Sequence, residues 1–390
     1  MTKAKSILAG LLIMVACLQT AWAQEQGSTA DEKFKVKIYM TNKEKVACDV
    51  SQLDSITFGE IGPDEGYEWT DLGQPSVPKI YNPRVDLKKD SLRILFIGHS
   101  YMNDYTSYLK KVIAAAGIPV TPGSNGTPDY SIYKILKGKS SFKNWYDCYY
   151  DKDNLPCYLS RVSGYRIPEL GESVTSKTDN GALFRRTLNQ NWDIIVIMPI
   201  TSFAHDYSLW HGNGSEGYLE EFIRILKLTN PQASIAAMML HSYAPGHLDN
   251  TEKSTTLRWT HIAGAVKHLC QDYGIDFVIP CGTAIENLRA SSLNGEHDFC
   301  RDLTHLSHGI GRYTSVCCLF QSIFAPRYGI SVIGNTWRAT ADNGEWNNLD
   351  STQFDGMIDI DDNTAPVAQK AAFLSTCDMW SIQNPDDVDL

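Results

Sequence analysis

The spacing of apolar residues divides the chain into regions with different patterns. Polar and apolar residues alternate in short runs over residues 33–59. A period of two with polar turns between the runs predicts β-strands that bury one face. We therefore expect a small β-meander within residues 24–60. Residues 61–90 are rich in Gly, Pro and Asp, which predicts a linker.

From residue 91 onward, short apolar runs alternate with patterns of helical period. Continuous apolar runs are typical of strands in a parallel sheet that is covered on both faces. Strands are predicted at residues 94–97, 194–197, 235–240 and 277–279, and helices at residues 105–116, 219–228, 257–273, 312–324 and 365–380. This alternation predicts an α/β sandwich with a central parallel sheet over residues 91–390.

Residues 125–180 fit this alternation poorly, since they are rich in Tyr, Ser, Gly and Asp. A long insertion in a compact domain is usually functional or mobile. Two interpretations of its aromatic residues remain open, because aromatic side chains serve both cores and binding surfaces. They pack the segment onto the sheet, or they form a sugar-stacking wall, for which Trp145 and Tyr146 are the candidate substrate-binding residues.

The first 23 residues have the pattern of a secretory signal peptide. Lys3 and Lys5 precede the apolar stretch 7–16, which is too short to span a bilayer. The A-x-A sequence of residues 21–23 is typical of a cleavage site, so we expect an exported protein. The less favoured alternative is a lipid anchor on Cys17.

Composition and charge narrow the classes of function. The formal net charge is −10 and no basic run occurs, which argues against binding of nucleic acid. No later segment has the length and apolarity of a transmembrane helix. The chain has ten cysteines but no C-x-x-C, so a structural zinc site is not expected. The spacing of His297, His305 and His308 matches no standard metal-ligand motif, so no other metal is expected either. Exported proteins can form disulfides, and Cys148 and Cys157 are the one pair of cysteines that we expect to form one.

Candidate chemistry begins at Ser100, directly after the first predicted strand of the α/β region. Ligands of open α/β sheets bind beyond the carboxyl ends of the strands. A serine hydroxyl becomes a nucleophile when a histidine takes its proton and a carboxylate orients that histidine. Asp302 and His305 are only three residues apart and offer both groups. We predict Ser100 as nucleophile, His305 as base and Asp302 as its partner. The plainer alternative is that Ser100 caps the following helix.

Five sequence blocks carry a family resemblance. They are Ile94–Ser100, Gly138–Ser140 before Trp145, Trp192–Asp193, Pro280–Arg289, and Arg301–Leu306 followed by Gly311–Tyr313. Together they resemble the SGNH (GDSL-like) hydrolase superfamily, and in particular a branch that is common among exported bacterial proteins. The resemblance extends from about residue 93 to residue 385.

The resemblance implies a flavodoxin-like three-layer sandwich that hydrolyses esters or amides, often acyl groups on carbohydrates, without a cofactor. It also implies an oxyanion hole made by the backbone N–H groups of Ser100 and Gly138 and by a polar side chain from the block after Trp192–Asp193. In this chain Met198-Pro199 stands where the branch has two Gln. We therefore expect Thr201 or Ser202 to supply the missing donor.

The sequence thus predicts an exported serine esterase that acts on a small-molecule or glycan acyl ester. Two alternatives remain open. One is a glycan-binding or surface protein on the same scaffold, which the Met198-Pro199 departure and the β-meander would fit. The other is an acyltransferase that uses the same triad.

Overall fold

A computed structural model describes residues 35–39, 45–49, 86–123, 125–212, 214, 217–251, 253–294, 298–340 and 357–389. The predicted signal peptide, the last strand of the predicted meander and most of the predicted linker lie outside these ranges. The chain divides into two units, residues 1–74 and residues 75–390. In the first unit, strand β1 (Lys35–Tyr39) pairs antiparallel with β2 (Lys45–Asp49).

The second unit is built on a seven-stranded sheet with the strand order β6-β5-β4-β3-β7-β8-β9. Its strands are β3 (Leu92–Gly98), β4 (Tyr130–Lys137), β5 (Cys157–Gly164), β6 (Ser173–Ser176), β7 (Ile194–Ile197), β8 (Ser234–Met238) and β9 (Phe277–Ile279). The five strands from β4 to β9 in that order are parallel. Their order is 2-1-3-4-5, which confirms the flavodoxin-like fold.

Helices flank this sheet. They are α1 (Ser100–Thr106), α2 (Leu109–Ala115), α3 (Phe142–Tyr149), α4 (Asn180–Leu188), α5 (Leu219–Thr229), α6 (Thr255–Tyr273), α7 (Cys281–Arg289), α8 (Ile310–Tyr328) and α9 (Ala365–Cys377). Helix α8 packs against α1, α2, α7 and α9, whereas α3 packs against α4 and α5.

The central strands are buried because their apolar runs leave no polar face. All residues of β7, β8 and β9 are buried, as are six of the seven residues of β3. Removing such runs from water on both faces is the main favourable contribution to folding of a parallel sheet. The carboxyl ends of these strands are therefore held on a rigid layer.

The sequence pattern suggested that residues 125–180 are an insertion. In the structure they belong to the sheet. They form β4, α3, β5 and β6, and so supply the second strand of the parallel sheet and an antiparallel extension at its edge. Polar residues interrupt the apolar ones in all three strands, which read YSIYKILK, CYLSRVSG and SVTS, so the segment lacks continuous apolar runs. Within it, the sulfur atoms of Cys148 and Cys157 lie 3.5 Å apart as buried thiols.

Candidate active site

Ser100 is the first residue of α1, two residues after β3 ends at Gly98. The N-cap of α1 is His99, whose Nδ1 accepts a hydrogen bond of 3.3 Å from the backbone N–H of Tyr101. The interpretation of Ser100 as the helix cap is therefore wrong. At the first helical position, the N–H of Ser100 has no acceptor within the helix, so it can donate to a ligand.

Gly98 is required by a neighbouring side chain rather than by a turn. A Cβ atom on Gly98 would lie 2.4 Å from the sulfur of Met198, which follows β7. Met198 is itself buried. Met198 stands where the branch has a Gln, and its thioether fills the space beside the strand that leads to Ser100.

A continuous chain of hydrogen bonds joins the three predicted catalytic side chains. His305 Nε2 lies 2.7 Å from Ser100 Oγ, and His305 Nδ1 lies 2.8 Å from Asp302 Oδ2. The second carboxylate oxygen, Oδ1, accepts from the backbone N–H of His305 at 2.6 Å and of Thr304 at 3.1 Å. This arrangement can move a proton from a serine hydroxyl to an imidazole that a carboxylate orients.

The environment of Asp302 favours its charged form. Partial burial by itself would raise the pKa of this carboxyl. The hydrogen bonds from the backbone and ring of His305 and from Thr304 outweigh that effect and lower the pKa of Asp302 below 3.8. Asp302 is therefore ionised at neutral pH and can stabilise an imidazolium.

The turn that carries Asp302 and His305 is clamped by buried side chains. Leu303 in its middle has a φ of 63°, a left-handed conformation that costs free energy for a residue with a Cβ atom. The next carbonyl, of Thr304, accepts from the hydroxyl of Tyr101 at 2.6 Å and from Nε2 of His241 at 2.8 Å. Two donors on different elements thus hold the turn in place.

His241 is fixed in one neutral tautomer. Its Nδ1 lies 2.8 Å from the hydroxyl of Tyr105, and that oxygen in turn accepts from the backbone N–H of His241 at 3.2 Å. The Thr304 carbonyl can only accept, so the ring proton is on Nε2, and Nδ1 accepts from the hydroxyl of Tyr105. Burial holds the pKa of His241 well below its usual range.

Asp104 anchors the same turn to α1. Its buried carboxylate accepts from the N–H of Leu306 at 3.1 Å and forms ion pairs with Arg301 at 3.1 Å and Arg312 at 2.7 Å. This residue was not predicted from the sequence. The available signal was its position four residues after Ser100, on the same face of a helix.

His99 lies between the nucleophile and the chain after β7. Its Nε2 donates to the carbonyl of Pro199 at 3.1 Å. Burial lowers the pKa of His99 to about 4, although the bond to Pro199 opposes that effect. His99 is therefore neutral beside Ser100 at neutral pH.

Ser100 opens into a cleft of about 590 Å³. The cleft is lined by His99, Ser100, Asn103, Leu136, Lys137, Gly138, Lys139, Ser140, Tyr158, Leu159, Ser160, Ser173, Thr175, Ile200 and Thr201. Three of the residues predicted for the oxyanion hole, Ser100, Gly138 and Thr201, are therefore brought together. Ser202 does not line the cleft.

The predicted substrate-binding aromatics lie elsewhere. Trp145 is 1% exposed, and its ring packs on Phe184 at a centroid distance of 4.7 Å. Tyr146 packs on Tyr218 at 4.7 Å. Neither lines the cleft, because Trp145 lies on the buried face of α3. The packing interpretation therefore holds for Trp145, and its assignment to a sugar-stacking wall is wrong.

Two further residues of the cleft, Ser140 and Tyr158, were not predicted as site residues. Ser140 is fully buried, and its hydroxyl has no hydrogen-bond partner among the residues that the structure describes. A buried hydroxyl without a partner is costly, which makes it a candidate to bind a ligand. Tyr158 is 45% exposed and lines the same cleft.

In the part of the chain that the structure describes, no three His, Cys, Asp or Glu side chains are grouped so as to hold a metal ion. No helix within the described ranges combines the length and the apolar character needed to span a bilayer.

The burial of His99 predicts a pH dependence of stability. Between pH 6.5 and about 4 the unfolded chain binds a proton at His99 that the folded chain does not, so stability falls as the pH falls. Replacing His99 by Asn, which also caps helices well, removes this contribution. We expect wild type to lose about 2 kcal/mol more than His99→Asn between pH 7 and pH 4.5, as measured by urea unfolding. Equal losses in the two proteins would show that His99 titrates normally.

Comparisons with known proteins agree with this fold. Residues 160–352 match the family model described as "Domain of unknown function (DUF4886)". This segment includes Asp302 and His305 but not Ser100. No curated protein matches the chain.

Three solved structures are similar to the chain. A DUF4886 family protein from Bacteroides uniformis ATCC 8492 is 20% identical, with a TM-score of 0.57 over 77% of this chain and 100% of that one. A candidate GDSL-like lipase from Parabacteroides merdae ATCC 43184 is 13% identical, with a TM-score of 0.38 over 62% of this chain and 99% of that one. A gut microbial diltiazem-metabolizing enzyme is 11% identical, with a TM-score of 0.32 over 63% of this chain and 49% of that one. The chain therefore contains a DUF4886 domain match at residues 160–352 and shares its fold with a DUF4886 protein of known structure.

Proposed function

We propose that this protein is a serine esterase. Ser100 attacks the carbonyl carbon of an acyl ester while His305 takes the hydroxyl proton. The tetrahedral intermediate collapses to an acyl-enzyme, and His305 returns the proton to the leaving alkoxide. Water then attacks the acyl group with His305 again as base, which frees the acid and restores Ser100.

The observation that supports this proposal best is the hydrogen-bond chain from Asp302 through His305 to Ser100. Its two side-chain distances of 2.8 and 2.7 Å suit proton transfer, and its serine end opens into the cleft. A protein that only binds a ligand has no need of this alignment. The SGNH resemblance of the sequence blocks supports the same chemistry, and export stays a prediction from the first 23 residues.

The oxyanion hole is proposed to contain three donors. The backbone N–H groups of Ser100 and Gly138 are the two that the resemblance implies, and both residues line the cleft. We assign the third donor to the hydroxyl of Ser140, because it is buried, lacks a partner among the described residues and lines the same cleft. Of the two donors first expected from the sequence, Ser202 does not line the cleft.

An acyltransferase with the same triad differs only in the acceptor of the acyl group. The side chain of His305 is 24% exposed, so a water molecule can reach this base and be activated by it. This favours hydrolysis over transfer to a second alcohol.

Replacing Ser100 by Ala tests the esterase. We expect kcat for 4-nitrophenyl acetate to fall by about 1,000-fold or more, because the nucleophile is lost while the fold remains. Release of 4-nitrophenol measures the rate. Ser292→Ala is the matched control, since Ser292 is exposed and does not line the cleft. A Ser100→Ala protein that is as active as this control would contradict the proposal.

Replacing Ser140 by Ala tests the third oxyanion donor. Loss of one such donor typically lowers kcat by about 100- to 1,000-fold, and KM should change little because the bond forms mainly in the transition state. Steady-state kinetics on the same ester provide the measurement. Thr201→Ala and Ser202→Ala should lower kcat by less than about tenfold. If either of them has the large effect and Ser140→Ala does not, the donor is the one first expected from the sequence.

A further inference from the structure

A hydroxyl-rich sheet face lies beside the nucleophile. It consists of Tyr158 and Ser160 on β5 and of Ser173 and Thr175 on β6, which we call the β5–β6 shelf. Tyr158 lies opposite Thr175, and Ser160 lies opposite Ser173. All four residues line the cleft that contains Ser100.

The alternation of side chains along the two strands fixes which face this is. Successive residues of a strand point to opposite sides of the sheet. Leu159 and Val174, which lie opposite each other between the shelf residues, are buried and half-buried. The four shelf residues therefore share the face opposite to that of Leu159 and Val174, and of these two apolar residues Leu159 also borders the cleft.

The shelf continues toward the proposed oxyanion hole. Tyr158 lies opposite Leu136 of β4, and Gly138 follows two residues later along the same chain. A group resting on the shelf would therefore be next to the carbonyl that the oxyanion donors hold. This is where the alcohol part or the acyl part of an ester must lie.

The chemistry of the shelf distinguishes between these two parts. Its four side chains are neutral, three carry aliphatic hydroxyls, and Tyr158 adds an exposed ring. An acyl chain would be bound best by an apolar pocket, and a charged group by opposite charges. A neutral sugar matches the shelf, because its hydroxyls can exchange hydrogen bonds with Ser and Thr while its C–H face rests on an aromatic ring.

We propose that the β5–β6 shelf binds a neutral sugar residue that forms the alcohol part of the ester substrate. The proposal rests on the esterase function of Ser100 for its catalytic consequence, but not for binding itself. Tyr158 thus takes the sugar-binding role first predicted for Trp145 and Tyr146, which do not line the cleft.

The kinetic test compares Tyr158→Ala with wild type on two substrates. For an O-acetylated neutral oligosaccharide, KM should rise by about tenfold, the size expected for loss of an aromatic contact, while kcat stays nearly constant. For vinyl acetate, whose alcohol part has neither a ring nor a hydroxyl to rest on the shelf, KM should rise by less than it does for the sugar ester. Tyr150→Ala is the matched control, since Tyr150 is similarly exposed at 42% but does not line the cleft. Equal KM values for the sugar ester in both variants would overturn the proposal.

A binding test separates failure of the shelf from failure of the esterase. Calorimetric titration of the same oligosaccharide, without its acetyl groups, into the full chain requires no catalysis. We expect binding that Tyr158→Ala weakens by about tenfold and Tyr150→Ala leaves unchanged. Absence of binding to wild type, or a KM effect of Tyr158→Ala confined to esters of long acyl chains, would show that the shelf does not bind a sugar. Sugar binding without hydrolysis of any ester would instead contradict the esterase and leave the shelf supported.

Discussion

The buried carboxylate of Asp104 joins two parts of the chain that are about two hundred residues apart in sequence. It lies on α1, the helix that begins with Ser100, and it binds the backbone of Leu306 and the side chains of Arg301 and Arg312. A buried charge is tolerated only when it is paired and hydrogen-bonded. The ion pairs therefore oblige the turn with His305 to sit against the helix with Ser100, and the short distance between their side chains follows.

The charge states of the neighbouring side chains support the same arrangement. Two further histidines, His99 and His241, lie near His305, and burial keeps both neutral. Neutral rings donate to the Pro199 and Thr304 carbonyls and add no positive charge beside His305. The carboxylate of Asp302, which its hydrogen bonds keep ionised, is then the charge that acts directly on the base.

The parts of the fold that follow from local sequence pattern could be predicted. The runs of β3, β7, β8 and β9 are continuous and apolar, so these strands and a parallel sheet could be predicted from them. The D-x-x-H spacing likewise brought Asp302 and His305 together in the prediction. The strands β4, β5 and β6 were not predicted, because polar residues interrupt their apolar ones, as in YSIYKILK, CYLSRVSG and SVTS. Asp104, His241 and Ser140 were missed because their importance depends on contacts between segments distant in sequence, and Trp145 was misassigned because burial of a single ring cannot be read from composition.

A serine-reactive fluorophosphonate tests the central claim, that Ser100 is activated by His305, most directly. The folded protein should take up one label per chain, and peptide mass spectrometry should locate that label on Ser100. Labelling should be slowed strongly by His305→Gln, because the hydroxyl then loses the base that takes its proton. A label on another residue, or an equal labelling rate in wild type and His305→Gln, would contradict the account.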